Sequence, residues 1–503
     1  MDRSFDDFAR RYDAGAPQLL STRLVADLET PVSAFLKLSR GRAGNLFLLE
    51  SVEGGATRGR YSMIGLDPDI VWRAHAGKAE INRDALRDKN AFTPCPQKPL
   101  DALRALIAES AIAHEENLPP MAAGVFGYLG YDMVREMEHL APAKADPIGV
   151  PDAVMIRPTA MVVFDAVRDE MCVVAPVRPA PGVTAAAAYE RAQARIEALV
   201  HTLEGPLDHD AGADPHLLAA EPVSNTPEPR FLEIVEKAKE YIRAGDIFQV
   251  VLSQRFTAPF ALPAFALYRA LRRVNPAPFL CYLDFGPFQV VCSSPEILVR
   301  VRHGQVTIRP IAGTRWRGQT QAEDERLAAE LLADEKERAE HLMLLDLGRN
   351  DVGRVSSIGT VEVTEQFAIE RYSHVMHIVS NVIGKLDGRR DNIDALSAGF
   401  PAGTVSGAPK VRAMEIIDEL ETDKRGIYGG CIGYFGASGE MDTCIVLRTS
   451  IVKDGKMHAQ AGAGIVYDSD PAYENRECVN KAKALFRAAE EAVRFATTAK
   501  RGQ

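Results

Sequence analysis

Apolar and polar positions follow different periods along this chain. We predict strands in the apolar runs NLFLLESV and AVMIRPTAMVVFDAV, and a helix in AAAAYERAQARIEALVHTL, where apolar residues recur at helical spacing. In the second half, helical spacing recurs in RFLEIVEKAKEYIRAGD, which ends at Gly245. Strands are again predicted in IFQVVLSQRF, FLCYLDF and FQVVCSSPEILVRV.

Near the end of the chain, two β-runs in MDTCIVLRTSIVKDGKMHAQAGAGIVYDS are joined by Asp454-Gly455, which predicts a two-residue hairpin. In that register Arg448 lies opposite Ala461 and beside Gly462 and Gly464. A guanidinium is therefore expected next to bare backbone, which a ligand can approach closely. The alternation assigns Cys444 and Val446 to the face of Arg448, and Ile445, Leu447 and Ile451 to the opposite core face.

The seam between the two halves is residues 205–230, a stretch rich in Pro, Asp, Gly and Ala. We predict an N-terminal unit over 1–215, a linker over 216–230 and a second unit over 231–497. The composition of the 503 residues, 46% hydrophobic and 25% charged, is typical of a soluble globular protein.

Composition and charge exclude several classes of protein. Seven cysteines without a Cys-x-x-Cys pair argue against a disulfide framework or a zinc knuckle. No secretory signal and no membrane-spanning apolar run is found, so we expect a cytoplasmic protein without a membrane partner. The net charge of −10 argues against nucleic acid as a ligand.

Positive charge is concentrated in RPIAGTRWRG, residues 309–318. We predict that Arg309, Arg315 and Arg317 receive an anion here. The centre of this segment is Ala312, which has no chemical function of its own.

A helix start is predicted at Asp334, because Glu337 follows at capping-box spacing. Glu340 then shares a stripe with apolar residues, so its carboxylate needs a partner. One interpretation is a salt bridge. The other is a Mg²⁺ site completed by Glu474 or Glu477 on the last predicted helix, since carboxylates without thiolates suit this ion.

Other candidate residues are ambiguous by themselves. Glu296 follows a strand and a proline, as solvated turn residues often do, and His374 and His377 would face opposite sides of a strand. A Gly-rich turn runs into a helix with Pro409 near its first position, where free N–H groups can bind anions. Cys431 in YGGCIGYFG resembles a nucleophile elbow but lies between predicted strands.

Taken in order, these stretches resemble the chorismate-utilising enzymes, most closely the large subunits (component I) of the anthranilate synthases. The resemblance implies an α+β fold, a large antiparallel β-sandwich flanked by helices, with a regulatory first unit and a catalytic second unit. The matching stretches, densest over residues 230–490, are LLESVEGG, GRYSMIG, FQVVLSQRF, SSPEILV, RPIAGTRWRG, AEHLMLLDLGRND, RYSHVMHIVS, AGTVSGAPKVRAMEII, YGGCIGYFG, DTCIVLRT and QAGAGIVYDSDPAYENRECVNKA.

The implied reaction adds ammonia to ring carbon C2 of chorismate, expels the C4 hydroxyl and eliminates pyruvate, leaving anthranilate. The resemblance makes Glu296 the acid that protonates the hydroxyl, links His377 to pyruvate elimination, and gives Thr404 a supporting contact. It implies Mg²⁺ held by Glu340 and Glu477, with the role of Glu474 open. The implied substrate contacts are Gln249, Gly313, Thr314, Tyr428, Arg448, Gly462, Ala463, Gly464 and Lys481.

Two positions discriminate within the family. Aminodeoxychorismate synthases carry a nucleophilic lysine where this chain has Ala312, and isochorismate and salicylate synthases carry a lysine where it has Gln249. Both differences favour anthranilate. The alternatives are an aminodeoxychorismate synthase and a non-catalytic tryptophan-sensing protein.

The resemblance also implies regulation and partners. L-Tryptophan is expected to inhibit, and ammonia is expected either free or from a glutamine amidotransferase small subunit, as in a heterotetramer. The expected tryptophan contacts are Glu50, Ser51, Pro278, Phe279, Leu280 and Tyr434.

Overall fold

The protein is described by a computed structural model over residues 4–51, 59–113, 115–207, 221–372 and 375–498. His374 and the first part of the predicted linker lie outside these residues. The α-helices are α1 (Phe5–Asp13), α2 (Pro31–Ser39), α3 (Pro99–Glu109), α4 (Ala185–Glu204), α5 (Glu228–Arg243), α6 (Ala264–Val274), α7 (Gln321–Ala333), α8 (Glu335–Gly353), α9 (Asn392–Gly399), α10 (Lys410–Leu420) and α11 (Pro471–Thr498), with 3-10 turns at Tyr131–Glu136 and Gly403–Val405.

The strands pair in antiparallel fashion throughout the described residues. They are β1 (Gln18–Val25), β2 (Leu46–Ser51), β3 (Tyr61–His75), β4 (Lys78–Asn82), β5 (Phe92–Pro94), β6 (Gly124–Leu129), β7 (Ala153–Asp165), β8 (Glu170–Val177), β9 (Val223–Ser224), β10 (Gln249–Pro259), β11 (Phe279–Asp284), β12 (Gln289–Ser294), β13 (Ile297–Arg302), β14 (Gln305–Ile308), β15 (Ile311–Trp316), β16 (Glu362–Arg371), β17 (Val375–Lys385), β18 (Gly407–Ala408), β19 (Cys431–Gly436), β20 (Met441–Ile445), β21 (Thr449–Lys453) and β22 (Lys456–Ile465).

One hydrogen-bonded path connects most of these strands. It runs from β10 through β22, β21, β12, β11, β2, β3, β7, β6, β19, β20, β13 and β14 to β17. A cluster of strand side chains from both halves of the chain, including Phe47, Phe126, Val163, Cys292 and Tyr434, forms an internal core. Two further clusters contain most of the buried helix residues and pack on the outer strand faces. The predicted α+β fold, an antiparallel β-sandwich flanked by helices, is confirmed.

The two predicted units share this sheet. β2 pairs with β11 and β6 pairs with β19, so strands from before and after the seam are hydrogen-bonded neighbours. Within the predicted linker, Val223–Ser224 pairs with β10, and α5 begins at Glu228. No helix among the described residues is both long and apolar enough to cross a membrane.

The predicted hairpin turn is present, but the predicted position of Arg448 in its ladder is wrong. Lys453 pairs with Lys456 around Asp454 (φ 51°) and Gly455 (φ 69°). The β21–β22 ladder starts at Ser450 and does not include Arg448. Ala461, the predicted partner of Arg448, pairs with Gln254 of β10. Arg448 itself has a left-handed φ of 48°, because the strand breaks between β20 and β21.

This break also cancels the predicted alternation of faces. Ile451, expected opposite Cys444 and Val446, packs in the same internal cluster as both of them. Ile445 packs in a different cluster, so both sides of this strand are core. The prediction failed because regular alternation holds only while the backbone stays extended.

Candidate active site

The floor of the candidate site is formed where β10 pairs with β22. Val251, Leu252 and Ser253 lie opposite Gly464, Ala463 and Gly462. A Cβ at Gly464 would collide with the amide of Gln249, and one at Gly462 would lie 2.9 Å from the Tyr428 hydroxyl. The glycines therefore allow the side chains of Gln249 and Tyr428 to lie directly on the strand.

Lys481 connects this floor to α11. Its ammonium donates to the Gly462 carbonyl at 2.9 Å and pairs with Glu477 at 2.6 Å, one turn earlier on the helix. Three substrate contacts predicted on different segments, Tyr428, Lys481 and Gly462, are thus brought together.

Glu340 on α8 reaches the same floor at Gln249. Its carboxylate accepts a long hydrogen bond from the Gln249 amide, 3.4 Å away. Burial raises the pKa of Glu340, and Glu337 and Glu477 raise it further, whereas Gln249 and Lys481 lower it. The two helices therefore place Glu340 and Glu477 within electrostatic range of each other, as the predicted metal pair requires.

These residues fit a hard divalent cation. The Glu340 carboxylate lies in a largely buried position among like charges, and Gln249 Oε1 is buried without a hydrogen-bond partner among the described residues. In the described part of the chain, no three carboxylates here converge to within 4.8 Å, so a bound ion would complete its shell with water and substrate oxygens. Mg²⁺ commonly binds in this way, through one or two protein carboxylates.

Glu296 is the most strongly perturbed carboxyl in the site. Complete burial raises its pKa from 4.5 to about 8, although the Thr404 hydroxyl and the Ile311 backbone act to lower it. The interpretation of Glu296 as a solvated turn residue is therefore wrong. A carboxyl with this pKa is mostly protonated at pH 7 and can donate a proton.

His377 is held by the segment that contains Gly313 and Thr314. Its Nδ1 lies 2.8 Å from the Gly313 carbonyl and 3.1 Å from the Thr314 hydroxyl. Since a carbonyl only accepts, we assign the ring proton to Nδ1, which leaves the Nε2 lone pair free. Burial lowers the pKa of His377, and the nearby Arg448 guanidinium lowers it as well, so the neutral ring is favoured.

Arg448 is a partly buried cation that has no carboxylate partner among the described residues. Its Nη1 donates to Asn275 Oδ1 at a long 3.4 Å, and burial lowers its pKa. The Tyr372 hydroxyl acts in the opposite direction. Because an unpaired buried charge is costly, this guanidinium is well suited to receive an anionic ligand.

The prediction that Arg309, Arg315 and Arg317 receive the anion is wrong. Each already pairs with carboxylates of the protein. The pairs are Arg309 with Glu365 and Glu370, Arg315 with Asp334 and Glu337, and Arg317 with Asp324.

The expected tryptophan contacts separate into two groups. Glu50 and Ser51 pair with Leu280 and Phe279 between β2 and β11, and Glu50, Ser51 and Leu280 line a cavity of about 790 Å³. Phe279 packs against the internal core cluster that contains Tyr434. Pro278 directly precedes β11.

The Glu50 carboxylate at this cavity is already bound. Arg272 donates to both of its oxygens at 2.8 and 3.0 Å, and the Tyr268 hydroxyl donates to one of them.

Sequence reasoning missed three residues of the site. Tyr372 packs edge-on against His377 with ring centroids 5.4 Å apart, and it lies five residues before His377 in RYSHVMHIVS. Asn275, in the connection between α6 and β11, contacts Arg448 from 173 residues away in sequence, which no local pattern indicates. Glu337 adds to the acidic cluster and could have been found from its spacing of three from Glu340.

The rejected nucleophile Cys431 is chemically quiet here. It begins β19, and burial raises its pKa to about 12. A thiol with this pKa is a poor nucleophile near neutral pH.

The site combines a glycine-lined strand floor with an acidic pair, a buried acid, and an arginine that has no carboxylate partner among the described residues. Together these features define an enzyme site for an anionic ligand. Residues 54–487 match the family of chorismate binding enzymes, and the chain belongs to that family. A protein named anthranilate synthase component 1 from Cereibacter sphaeroides is 57% identical over 99% of this chain and 100% of its own length. One from Pseudomonas putida is 47% identical over 96% of this chain and 97% of its own length. Within the family the chain therefore groups with the component 1 proteins.

Solved structures agree with this placement. Anthranilate synthase component I from Streptococcus pneumoniae is 36% identical and superposes with a TM-score of 0.75, covering 92% of this chain and 99% of that one. A menaquinone-specific isochorismate synthase from Escherichia coli, 19% identical with a TM-score of 0.71, covers 97% of this chain and 98% of that one and shares the fold.

Proposed function

We propose that this protein is an anthranilate synthase large subunit. Ammonia adds to C2 of chorismate, the C4 hydroxyl leaves as water, and pyruvate is eliminated to give anthranilate. The observation that carries the proposal is Glu296, whose buried carboxyl has a pKa of about 8 and faces Thr404. A hydroxyl leaves only when it is protonated, and this carboxyl retains a proton at neutral pH.

Arg448 and the floor residues are proposed to hold the substrate. Arg448 offers its donors to the enolpyruvyl carboxylate, supported by the Tyr428 hydroxyl and the glycine backbone of β22. Gln249, Gly313, Thr314, Ala463 and Lys481 complete the contacts. Fixing both carboxylates orients C2 and C4 for attack and departure.

His377 is proposed to act in the second step. Its burial favours the neutral ring, and its Nδ1–H is fixed on the Gly313 carbonyl. Nε2 can therefore accept the proton that C2 loses as pyruvate departs. This elimination gives anthranilate and pyruvate without any oxidation or reduction of the protein.

Glu340 and Glu477 are proposed to hold Mg²⁺, with Glu474 nearby. The pKa of Glu474 is raised by burial and by Glu477, so it belongs to the same acidic cluster. When bound, the ion would neutralise the ring carboxylate and orient it.

Ala312 and Gln249 support anthranilate over the neighbouring reactions. Neither side chain can form an amine adduct with the ring or activate water as a lysine can. Ammonia itself is thus the nucleophile, free or supplied by a glutamine amidotransferase subunit in a heterotetramer. We also propose tryptophan as inhibitor at the Glu50–Leu280 cavity, and a cytoplasmic location.

The test combines chorismate, ammonium and Mg²⁺ with the purified chain, with and without tryptophan. We expect anthranilate, measured by its fluorescence, and pyruvate to form in equal amounts, and less of both products with tryptophan. An amino product without pyruvate would identify an aminodeoxychorismate synthase and refute the proposal. Tryptophan binding without turnover would instead indicate a sensor protein.

A further inference from the structure

Three buried thiols meet away from the residues used above. Cys281 on β11, Cys292 on β12 and Cys444 on β20 place their sulfur atoms within 4.8 Å of one another. Cys281 and Cys292 are direct cross-strand partners, and Cys444 comes from a strand elsewhere in the sheet path. Their exposed fractions are 4%, 0% and 1%, and all three are free thiols.

This arrangement differs from ordinary core cysteines. Cys172 and Cys431 are also buried, but in the described part of the chain neither belongs to a group of three convergent ligand atoms. In the described part of the chain, the trio is the one group of three or more His, Cys, Asp or Glu side chains whose ligand atoms lie this close. Three convergent sulfur atoms are a ligand set for a soft, thiophilic centre.

The surroundings of the trio decide which centre fits. The side chains around it belong to the internal core and include Phe285, Val290 and Val446, and the main influences on the three thiols, within the described residues, include no cationic side chain. Contacts between the sulfurs, together with burial, raise the pKa of Cys281 and of Cys444, whereas hydrogen bonds from the same two thiols act against burial and lower the pKa of Cys292. Because the surrounding side chains are apolar, the site disfavours a complex that leaves net charge in the core.

The net charge of the thiolate complex then distinguishes the candidate ions. Three thiolates on Zn²⁺ carry one negative charge and leave the fourth tetrahedral position open. Three thiolates on Cu⁺ carry two negative charges. A trivalent metalloid bound by three thiolates is neutral and needs no fourth ligand.

We propose that Cys281, Cys292 and Cys444 form a binding site for a trivalent thiophilic metalloid, of which arsenite is the probe. One arsenous acid condenses with three thiols: three S–H and three As–OH bonds break, three As–S bonds form, and three waters leave. Arsenic stays trivalent, so nothing is oxidised or reduced. Bonds of about 2.3 Å, as in zinc–thiolate sites, put the sulfurs no more than about 4 Å apart, which small side-chain rotations achieve.

Occupancy would tie together three strands that lead to the proposed active and regulatory residues. β11 begins at Phe279, β12 ends two residues before Glu296, and Cys444 precedes Arg448 by four residues. Because the thiols are buried, entry requires local opening of the sheet, and binding is expected to be slow.

The experiment incubates the reduced full-length protein with a small excess of arsenite, removes the excess, and measures intact mass under native conditions. We expect a gain of one arsenic less three hydrogens per chain, and three sulfur neighbours in X-ray absorption at the arsenic edge. In the variants Cys281→Ala, Cys292→Ala and Cys444→Ala, arsenic held by two sulfurs should be removed by glutathione. Cys172→Ala and Cys431→Ala are matched buried controls and should retain it.

The outcomes separate cleanly. Loss of arsenic from the control variants, retention in all three cluster variants, or two sulfur neighbours in the wild type would overturn the proposal. Stoichiometric Zn²⁺ that arsenite cannot displace would overturn it too. If the alanine variants fail to fold, the sulfur count in the wild type still decides.

Discussion

At the scale of single residues, the site depends on groups held in unfavourable environments. Glu296 is buried without a cationic partner that affects its pKa, and Arg448 is partly buried without a carboxylate partner among the described residues. Each costs folding stability and gains a function in return, because a substrate can supply what the protein lacks.

Replacing Glu296 by Gln tests the acid. The folded-state pKa of about 8 exceeds the ordinary 4.5, so the stability contributed by the protonated carboxyl is full below pH 4.5 and is lost as pH rises towards 8. Gln stays neutral, so Glu296→Gln should gain stability relative to wild type across this window. Its turnover should fall about 10²- to 10⁴-fold.

The measurements are urea unfolding from pH 5 to 8.5 and the pH profile of kcat/KM, which should decline in the wild type above about pH 8. The exposed Glu325→Gln serves as control and should match the wild type in both. A Gln variant with an unchanged pH dependence of stability would contradict the assignment.

Replacing Arg448 by Met separates binding from stability. The change keeps similar volume and the same backbone strain at φ 48° but removes the buried charge, so the free energy of unfolding should rise by about 1 kcal/mol or more. kcat/KM for chorismate should fall roughly 30- to 1000-fold, which corresponds to a loss of about 2–4 kcal/mol of binding free energy in the transition state. Unfolding curves and steady-state kinetics check both signs, and a strong loss of stability would show that Arg448 is structural.

Local sequence does not show which arginines are already paired within the protein. Arg309, Arg315 and Arg317 illustrate this limit. Charge density drew attention to these three, but their partners come from α7, α8 and β16, up to about 60 residues away in sequence. The family pattern located Glu296, yet only the surrounding core shows why its proton is retained. Asn275 had no local signal at all.

At the scale of elements, the proposed metal site depends on two helices meeting. α8 begins where predicted, with Asp334 accepting from the backbone of Lys336 and Glu337, and α11 carries Glu474, Glu477 and Lys481 on one stripe. Their periodicity could be predicted, but their contact could not, because it depends on how both pack around β15 and β22. The break at Arg448 was missed for the same reason.

Replacing Glu340 by Gln tests this convergence. Since the pKa of Glu340 is raised above 4.5, its charged form costs stability at neutral pH, and the Gln variant should melt at a higher temperature without metal. Mg²⁺ should raise the melting temperature of the wild type but not of Glu340→Gln, because binding to the folded state is what stabilises it. Asp346→Asn, an exposed change on the same helix, should keep the Mg²⁺ effect.

At the scale of the whole molecule, strand pairings and ion pairs connect the two sides of the predicted seam repeatedly. β2 pairs with β11, β6 pairs with β19, and Arg104 and Arg135 bind carboxylates of α9 and α10 and the turn before α9. Composition predicts a seam in the sequence but carries no information on strand pairing between its two sides. The predicted division into a regulatory and a catalytic unit therefore does not define two separate folding units.

A chain cut within residues 208–220 tests whether the halves fold together. Residues 221–503 alone would leave β11 and β19 without neighbours on one side and expose apolar faces of the internal core, so this piece should aggregate. Co-expression of 1–207 with 221–503 should restore a soluble complex that makes anthranilate and unfolds in a single calorimetric transition, as the intact chain does. A soluble piece 221–503 with full turnover of chorismate would contradict this, since the shared sheet could then not be needed to position Glu296 and Arg448.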